Sequence, residues 1–277
     1  MIEGRCSSLH TYSWGLKELT IDAQLLGQGK LTLASAQGVM PDGTPFDISE
    51  DCDEAPITDI PENTRDCLVY LTLPTRRRNG AEISTGDERQ DNVSRYLARD
   101  DEVCDYMNGS DNFTQLQTGR LRLRLMLASE DRNDFVCLPI AKIIEINSDK
   151  NITLDEHFIP PYLDSNASPR LSGFLDELQG LLHHRGEALA SRITESGQGG
   201  AAEIADYMML QTVNRLEPLF LHLNAIHGLH PEDFYRMGVQ VAGELTTFAT
   251  ETRRPPVLPI YKHDDLQSCF DPLMQSL

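Results

Sequence analysis

Two apolar stripes of helical period, set either side of a short loop, constrain this chain more than any other feature. Ile204, Met208, Val213, Leu216, Phe220 and Leu223 recur at roughly helical spacing, and Phe234, Met237, Val241, Leu245 and Phe248 do the same after a break. The break reads Ile226-His227-Gly228-Leu229-His230-Pro231. Gly228 suits the end of one helix and Pro231 the first turn of the next, where a missing amide costs nothing. An antiparallel pair of amphipathic helices satisfies neither stripe alone, so further helices or further copies are expected against it. Leu171, Leu175, Leu178, Leu182 and Leu189 predict a preceding helix to about Ile193, broken at Ser196-Gly197-Gln198-Gly199-Gly200. After an extended crossing that contains Pro255, Pro256 and Pro259, His263-Asp264-Asp265-Leu266 opens a fourth, with Asp264 as its N-cap. The second half therefore reads as an antiparallel four-helix bundle whose last helix is unfinished at Leu277.

Ahead of Leu171 the period is two. Leu19 and Ile21, then Leu31 and Leu33, alternate with polar residues, and Met40-Pro41-Asp42-Gly43-Thr44-Pro45-Phe46 is a turn between strands. Cys67 to Leu73 is dense enough in strand formers for a central strand, and Pro139 marks an edge or bulge within Phe135–Ile146. Gly119–Leu127 reads as one strand, with Leu121, Leu123, Leu125 and Leu127 inward and Arg122 and Arg124 outward. Residues 84–102 form a polar excursion, either a functional arm or a hidden strand pair. The expected fold is multi-domain α+β. An antiparallel β-sandwich-like domain covers residues 1–163, a linker 164–170, and a helical bundle stalk 171–277.

Chemistry is scarce. The 43 acidic and 24 basic residues give a net charge of -19, which opposes broad binding to nucleic acid or anionic membrane. No apolar run approaches the ~20 residues of a spanning helix, so a soluble, cytosolic chain is expected. The six cysteines are scattered without a CxxC pair, which favours free thiols. Nucleophile-elbow, phosphate-loop, dinucleotide and HExxH patterns are all missing. His183 and His184 are adjacent, so they cannot share one metal from one helix face, and His222, His227 and His230 read as capping and loop packing. Asp51/Asp53, Asp100/Asp101 and Asp264/Asp265 lie in solvated runs rather than in a pocket, and Arg76-Arg77-Arg78 reads as a surface turn. No catalytic, metal or cofactor residue is assigned. The candidate sites are architectural: Met208, Val213, Leu216, Phe220, Phe234, Met237, Val241, Leu245 and Phe248 as bundle core or oligomer contact, and Arg122 and Arg124 as a partner surface. Two other readings stand beside this one: a phage tail or receptor-binding-like structural protein, and a small-molecule hydrolase with a cleft between the β domain and the bundle, such as one near Asp264 and the hairpin histidines.

Longer strings carry a resemblance. Tyr12-Ser13-Trp14-Gly15-Leu16-Lys17-Glu18-Leu19-Thr20-Ile21-Asp22 and Gly38-Val39-Met40-Pro41-Asp42-Gly43-Thr44-Pro45-Phe46 resemble the N-terminal region of the type VI secretion baseplate family TssK, also called ImpJ or VasE. Leu210-Gln211-Thr212-Val213-Asn214-Arg215-Leu216-Glu217-Pro218-Leu219, His230-Pro231-Glu232-Asp233-Phe234-Tyr235 and Gly243-Glu244-Leu245-Thr246-Thr247-Phe248 resemble its middle helices. Arg253-Arg254-Pro255-Pro256-Val257-Leu258-Pro259-Ile260-Tyr261-Lys262-His263-Asp264-Asp265-Leu266 does so as well. The resemblance implies a cytoplasmic homotrimer with no enzyme activity and no cofactor. It implies a β shoulder that docks on a TssF/TssG wedge, a helical stalk, and a C-terminal head that meets the membrane proteins TssL and TssM. Shoulder and stalk are matched here; the family's extreme N-terminus and its head are expected to lie outside this sequence.

Overall fold

Alternation builds the first half into strands that pair through their backbones. The computed structural model describes residues 11–51, 55–77, 82–84, 94–104, 113–196, 200–248 and 252–277. It divides into two units, Met1–Asp155 and Glu156–Leu277. In the first, β1 (Gly15–Ile21) and β2 (Lys30–Val39) are antiparallel and joined by a short helix, α1 (Ala23–Leu26). Asp22 caps that helix by accepting the Gln24 and Leu25 amides at 2.8 and 3.3 Å. The expected turn closes at Met40, whose amide donates to Thr44 O at 2.8 Å, and Gly43 supplies the positive φ of 87°. β3 (Pro45–Asp47) returns along β2, α2 (Ile48–Asp51) follows, and β4 (Ile57–Asp59) pairs with the opposite end of β2.

Gly38 sits where β1 and β2 come closest. A Cβ there would stand 2.3 Å from Gly15 O and 3.1 Å from Leu16 Cα, both backbone atoms that cannot step aside. Gly38→Ala is therefore expected to cost about 1–3 kcal/mol, the range for overpacking, with the sheet displaced rather than a side chain. Chemical denaturation against the parent checks it; an unchanged midpoint would show that the two strands have slack.

The second sheet runs β11-β10-β5-β9, from β5 (Arg65–Pro74), β9 (Arg124–Leu127), β10 (Phe135–Ile146) and β11 (Ile152–Leu154). Val69, Leu71 and Leu73 share one face of β5 at 0% exposure, opposite β10, where Leu138 and Ile143 are equally buried. Pro139 sits at a register shift between β10 and β5, the bulge its missing amide predicts, and lies beyond the stretch of β10 that β11 covers.

The third sheet takes up the described ends of the polar excursion, of which residues 85–93 lie outside the described residues. β7 (Tyr96–Cys104) and β8 (Phe113–Leu121) form a long antiparallel ladder, and β6 (Ile83–Ser84) adds a short parallel pair to β7. That parallel pair departs from the wholly antiparallel expectation. Gly119–Leu127 is likewise not one strand. β8 ends at Leu121 in the third sheet, and β9 begins at Arg124 in the second.

In the second unit the leucine period becomes α3 (Pro169–Ser196), followed by α4 (Ala201–Ala225), which runs through Pro218, and α5 (Pro231–Leu245). A 3-10 turn at Thr246–Phe248 precedes the extended strap, and α6 (Leu266–Gln275) closes the unit. Asp265, not Asp264, caps α6: its carboxylate accepts the Ser268 amide at 3.3 Å, one residue later than the sequence suggests. Leu171, Leu175, Leu178, Leu182 and Leu189 are at most 2% exposed. Phe270 lies between Phe174, Phe234 and Tyr235, with ring centroids at 6.4, 5.1 and 5.5 Å. The residues read as a linker are tied to the α4–α5 loop. Asn166 Nδ2 donates to Ile226 O at 2.7 Å, the Ser165 amide to Leu229 O at 2.7 Å, and Asp164 Oδ2 accepts the Gly228 amide at 2.9 Å. Ile159 and Tyr162 are buried, and burial pushes the Tyr162 phenol up to about 12.

Candidate interaction surfaces

The titratable side chains singled out by sequence hold structure together. His230 Nδ1 accepts the Glu232 amide at 3.1 Å and so caps α5, while its ring stacks on buried His263 at 5.1 Å. His222 and His227 are exposed, and His183 Nδ1 meets Glu217 Oε1 at 2.8 Å across α3 and α4, a hydrogen bond that raises the imidazole pKa. Asp101 accepts from Thr118 and pairs with Arg99 and Arg120 at 2.9 and 3.6 Å on the β7–β8 ladder. Arg77 pairs with Asp134 at 3.0 Å. Cys67, Cys104, Cys137 and Cys269 are free thiols; Cys6, Cys52, Asp53 and Arg78 lie outside the described residues. Among the described residues no group of three or more His, Cys, Asp or Glu is placed to hold a metal ion, and no helix is long and apolar enough to cross a membrane.

Arg122 is not on an outer face. It is 6% exposed, its backbone amide donates to Arg95 O at 3.0 Å, and its Nη1 donates to Ser94 Oγ at 3.1 Å. The reason is the change of sheet: alternation is interrupted at Arg122-Leu123, and the guanidinium folds into the root of the β7–β8 arm. Arg124, on β9, is half-buried. Beside Arg122 lies a residue the sequence reading passed over. Arg95 is 1% exposed; its Nη1 donates to Pro74 O at 2.6 Å, and its Nη2 to Asp42 Oδ2 at 2.7 Å and Thr44 Oγ1 at 2.5 Å. One guanidinium thus ties the β2–β3 turn, the end of β5 and the arm.

The bundle stripe divides. Val213, Leu216, Phe220, Phe234 and Val241 are at most 1% exposed, whereas Met237, Leu245 and Phe248 are half-buried. Met208 is 55% exposed and does not belong to the core of this chain. Rotation explains it: at 3.6 residues per turn Met208 stands about 140° from Val213 and about 80° from Leu216, off the buried side of α4. Ile204, Tyr207 and Met208 face away from that side at 64, 53 and 55% exposure, as does Leu221 at 56% further along. A groove of 370 Å³ opens between α3, α4 and the end of α5, lined by Leu178, Leu181, Leu182, Val213, Leu245 and Phe248, with Arg185, Met209 and the C-terminal residues. Neither Asp264 nor a hairpin histidine lines it. Its lining is mainly apolar, with Arg185, Thr246 and Ser276 as its polar side chains.

Residues 1–277 match the family model for bacterial type VI secretion described by VC_A0110, EvfL, ImpJ and VasE. The chain is 42% identical over 282 residues to the type VI secretion system baseplate component TssK1 of Pseudomonas aeruginosa, covering 100% of this chain and 62% of that protein. A crystal structure of TssK superposes with a TM-score of 0.92 at 37% identity, over 99% of this chain and 63% of the other. A chain of the TssK-TssF-TssG baseplate subcomplex, solved by cryo-electron microscopy, gives 0.85 at 25% identity, over 99% and 90%. The chain thus spans less than two thirds of the length of the curated relative and of the TssK crystal chain.

Proposed function

Because this chain belongs to the bacterial type VI secretion family of VC_A0110, EvfL, ImpJ and VasE, we propose that it forms the shoulder and stalk of a baseplate component. It works by assembly, with no reaction centre and no cofactor. The observation that carries this reading is the uncovered apolar stripe of α4, Ile204, Tyr207, Met208 and Leu221, on a helix whose opposite side is already packed. Apolar surface of that kind on a rod suits self-association about a symmetry axis. Three copies, each contributing α4, bring the stripes together in a cytoplasmic homotrimer.

The β unit then presents its surface to TssF and TssG, the proteins that accompany the related chain in the baseplate subcomplex. Docking on the membrane proteins TssL and TssM is assigned to the C-terminal head that the family resemblance implies. The division of labour follows the domain reading of a shoulder over residues 1–163, a linker over 164–170 and a stalk over 171–277. Light scattering coupled to size exclusion tests the trimer: a mass of three chains is expected, reduced by Met208→Asp with Tyr207→Asp, and a monomer at every micromolar concentration would overturn it. Co-purification with TssF and TssG tests the shoulder separately.

A further inference from the structure

The exposed side of α4 has the spacing of a coiled-coil seam. Ile204, Tyr207, Gln211, Asn214, Pro218 and Leu221 are all exposed, and they stand three, four, three, four and three residues apart. Such a run stays on one side of a helix, with a drift of about 20° per heptad that winds neighbouring helices left-handed. Val213, Leu216 and Phe220, buried in the chain's own core, lie on roughly the opposite side. The solvent side of any long helix contains this spacing; what separates α4 is composition. None of these residues carries a charge, whereas α3 of the same unit turns Asp176, Glu177, Arg185, Glu187 and Arg192 to solvent. Asp206, Arg215 and Glu217 of α4 stand off the run and are engaged within the chain, with Arg192 at 3.3 Å, with Glu244, and with His183 at 2.8 Å.

An uncharged seam fits a second copy of this chain. At a net charge of -19, copies repel one another except across a surface that adds no carboxylate. The two amides in the run point to the same occupant. Gln211 and Asn214 each hold donors and an acceptor, so each can bond to its own counterpart around an axis. Pro218 supplies a further acceptor at that height. It has no amide to give to the Asn214 carbonyl four residues back, which is left for another donor.

We infer that α4 meets α4 of the other copies in parallel along this seam, with Gln211 and Asn214 as two polar layers that fix its register. The inference rests on the trimer reading and adds the direction and register of the contact. Around a three-fold axis the same residue of each copy stands at the same height, so amide meets amide. A slip of one heptad sets Asn214 against Tyr207 or Leu221 and Gln211 against Ile204 or Pro218, leaving buried amides without their partners.

The test uses the full chain with single added cysteines at exposed positions. Tyr207→Cys and, in a separate chain, Leu221→Cys are each expected to give a self-linked dimer on oxidation, read on non-reducing denaturing gels against the parent. Ala188→Cys, exposed on α3, is the control and should give none. An antiparallel pairing would link position 207 to position 221 in a mixture of the two variants and neither to itself, which overturns the direction. In parallel, Asn214→Asp, close in shape and exposed, should keep the parent's helical circular dichroism and lose the trimer mass at neutral pH, because three carboxylates then share one height. An Asn214→Asp chain that stays trimeric, or a trimer without self-links, overturns the seam and leaves the trimer standing. A monomeric parent overturns both.

Discussion

Replacing Arg95 with methionine is expected to destabilise the β unit by about 3–5 kcal/mol, because it removes one partner of a buried ion pair and leaves the other without its counter-charge. The guanidinium is 1% exposed and Asp42 25%, so solvent can rescue the carboxylate only in part. Methionine restores much of the packing of the arginine stem, so the loss reports the bonds to Asp42, Thr44 and Pro74 rather than a cavity. Urea denaturation followed by circular dichroism at neutral pH measures it. The double variant Arg95→Met/Asp42→Asn should cost less than the sum of the single changes, since the two side chains are one interaction. A loss below about 1 kcal/mol would place the pair among ordinary surface bridges.

The same node fixes a pH dependence. Burial pushes the Asp42 carboxyl upward, but hydrogen bonds from Thr44 and the Arg95 charge outweigh it, and its pKa lies below the usual value. A folded-state pKa depressed in this way adds stability that is fully present above the unfolded value, about 4. That stability is lost as the pH falls through the folded value. The parent should therefore lose more stability than Asp42→Asn between about pH 5 and pH 2. Parallel curves over that interval would remove Asp42 from the acid response.

The second large effect belongs to the bundle. Val241→Asp is expected to cost about 4 kcal/mol or more, combining the lost burial of a branched side chain with the desolvation of a carboxylate. Val241 is 0% exposed on the face of α5 that also carries Phe234, Gly238 and Ala242, all buried. Gly238 already lets this helix approach α6 so closely that a Cβ there would meet Leu273 at 2.6 Å, so no water can follow the new charge without parting the helices. Val241→Ala, which leaves a cavity and no charge, should cost about 2 kcal/mol. Thermal melting of both variants separates the two contributions; equal losses would mean that the carboxylate had reached solvent.

Helix positions were legible because side chains at three- and four-residue spacing must share a side, and Val213, Leu216, Phe220, Phe234 and Val241 took the places their period requires. Met208 was read into that stripe at roughly helical spacing, but about 140° of rotation separates it from Val213, so it faces away from the packed side and lies in water. Arg122 misled for a different reason. The leucines flanking it stay buried on both sides of the sheet change, so the alternation carries no mark of the junction. Arg95 gave no signal at all: it stands in a polar run, and its partners at Asp42, Thr44 and Pro74 are brought to it only by the tertiary fold. The family resemblance was carried by long strings that take in strand β1 and the interior of α4 as well as turns and caps, such as Gly38 opposite Leu16 on the β1–β2 ladder and His230-Pro231 at the start of α5.

The β7–β8 arm has a consequence for crowding. Among the described residues β8 pairs only with β7, so one row of its backbone amides and carbonyls faces outward, beside Phe113 and Leu116 at 60 and 48% exposure. Such a margin invites like strands to zip together, and the proposed trimer would hold three arms at a local concentration that no dilute solution reaches. Asp100 and Glu102, exposed on the partner strand, oppose that fusion by mutual repulsion between arms. Neutralising these two is expected to raise turbidity as the protein is concentrated.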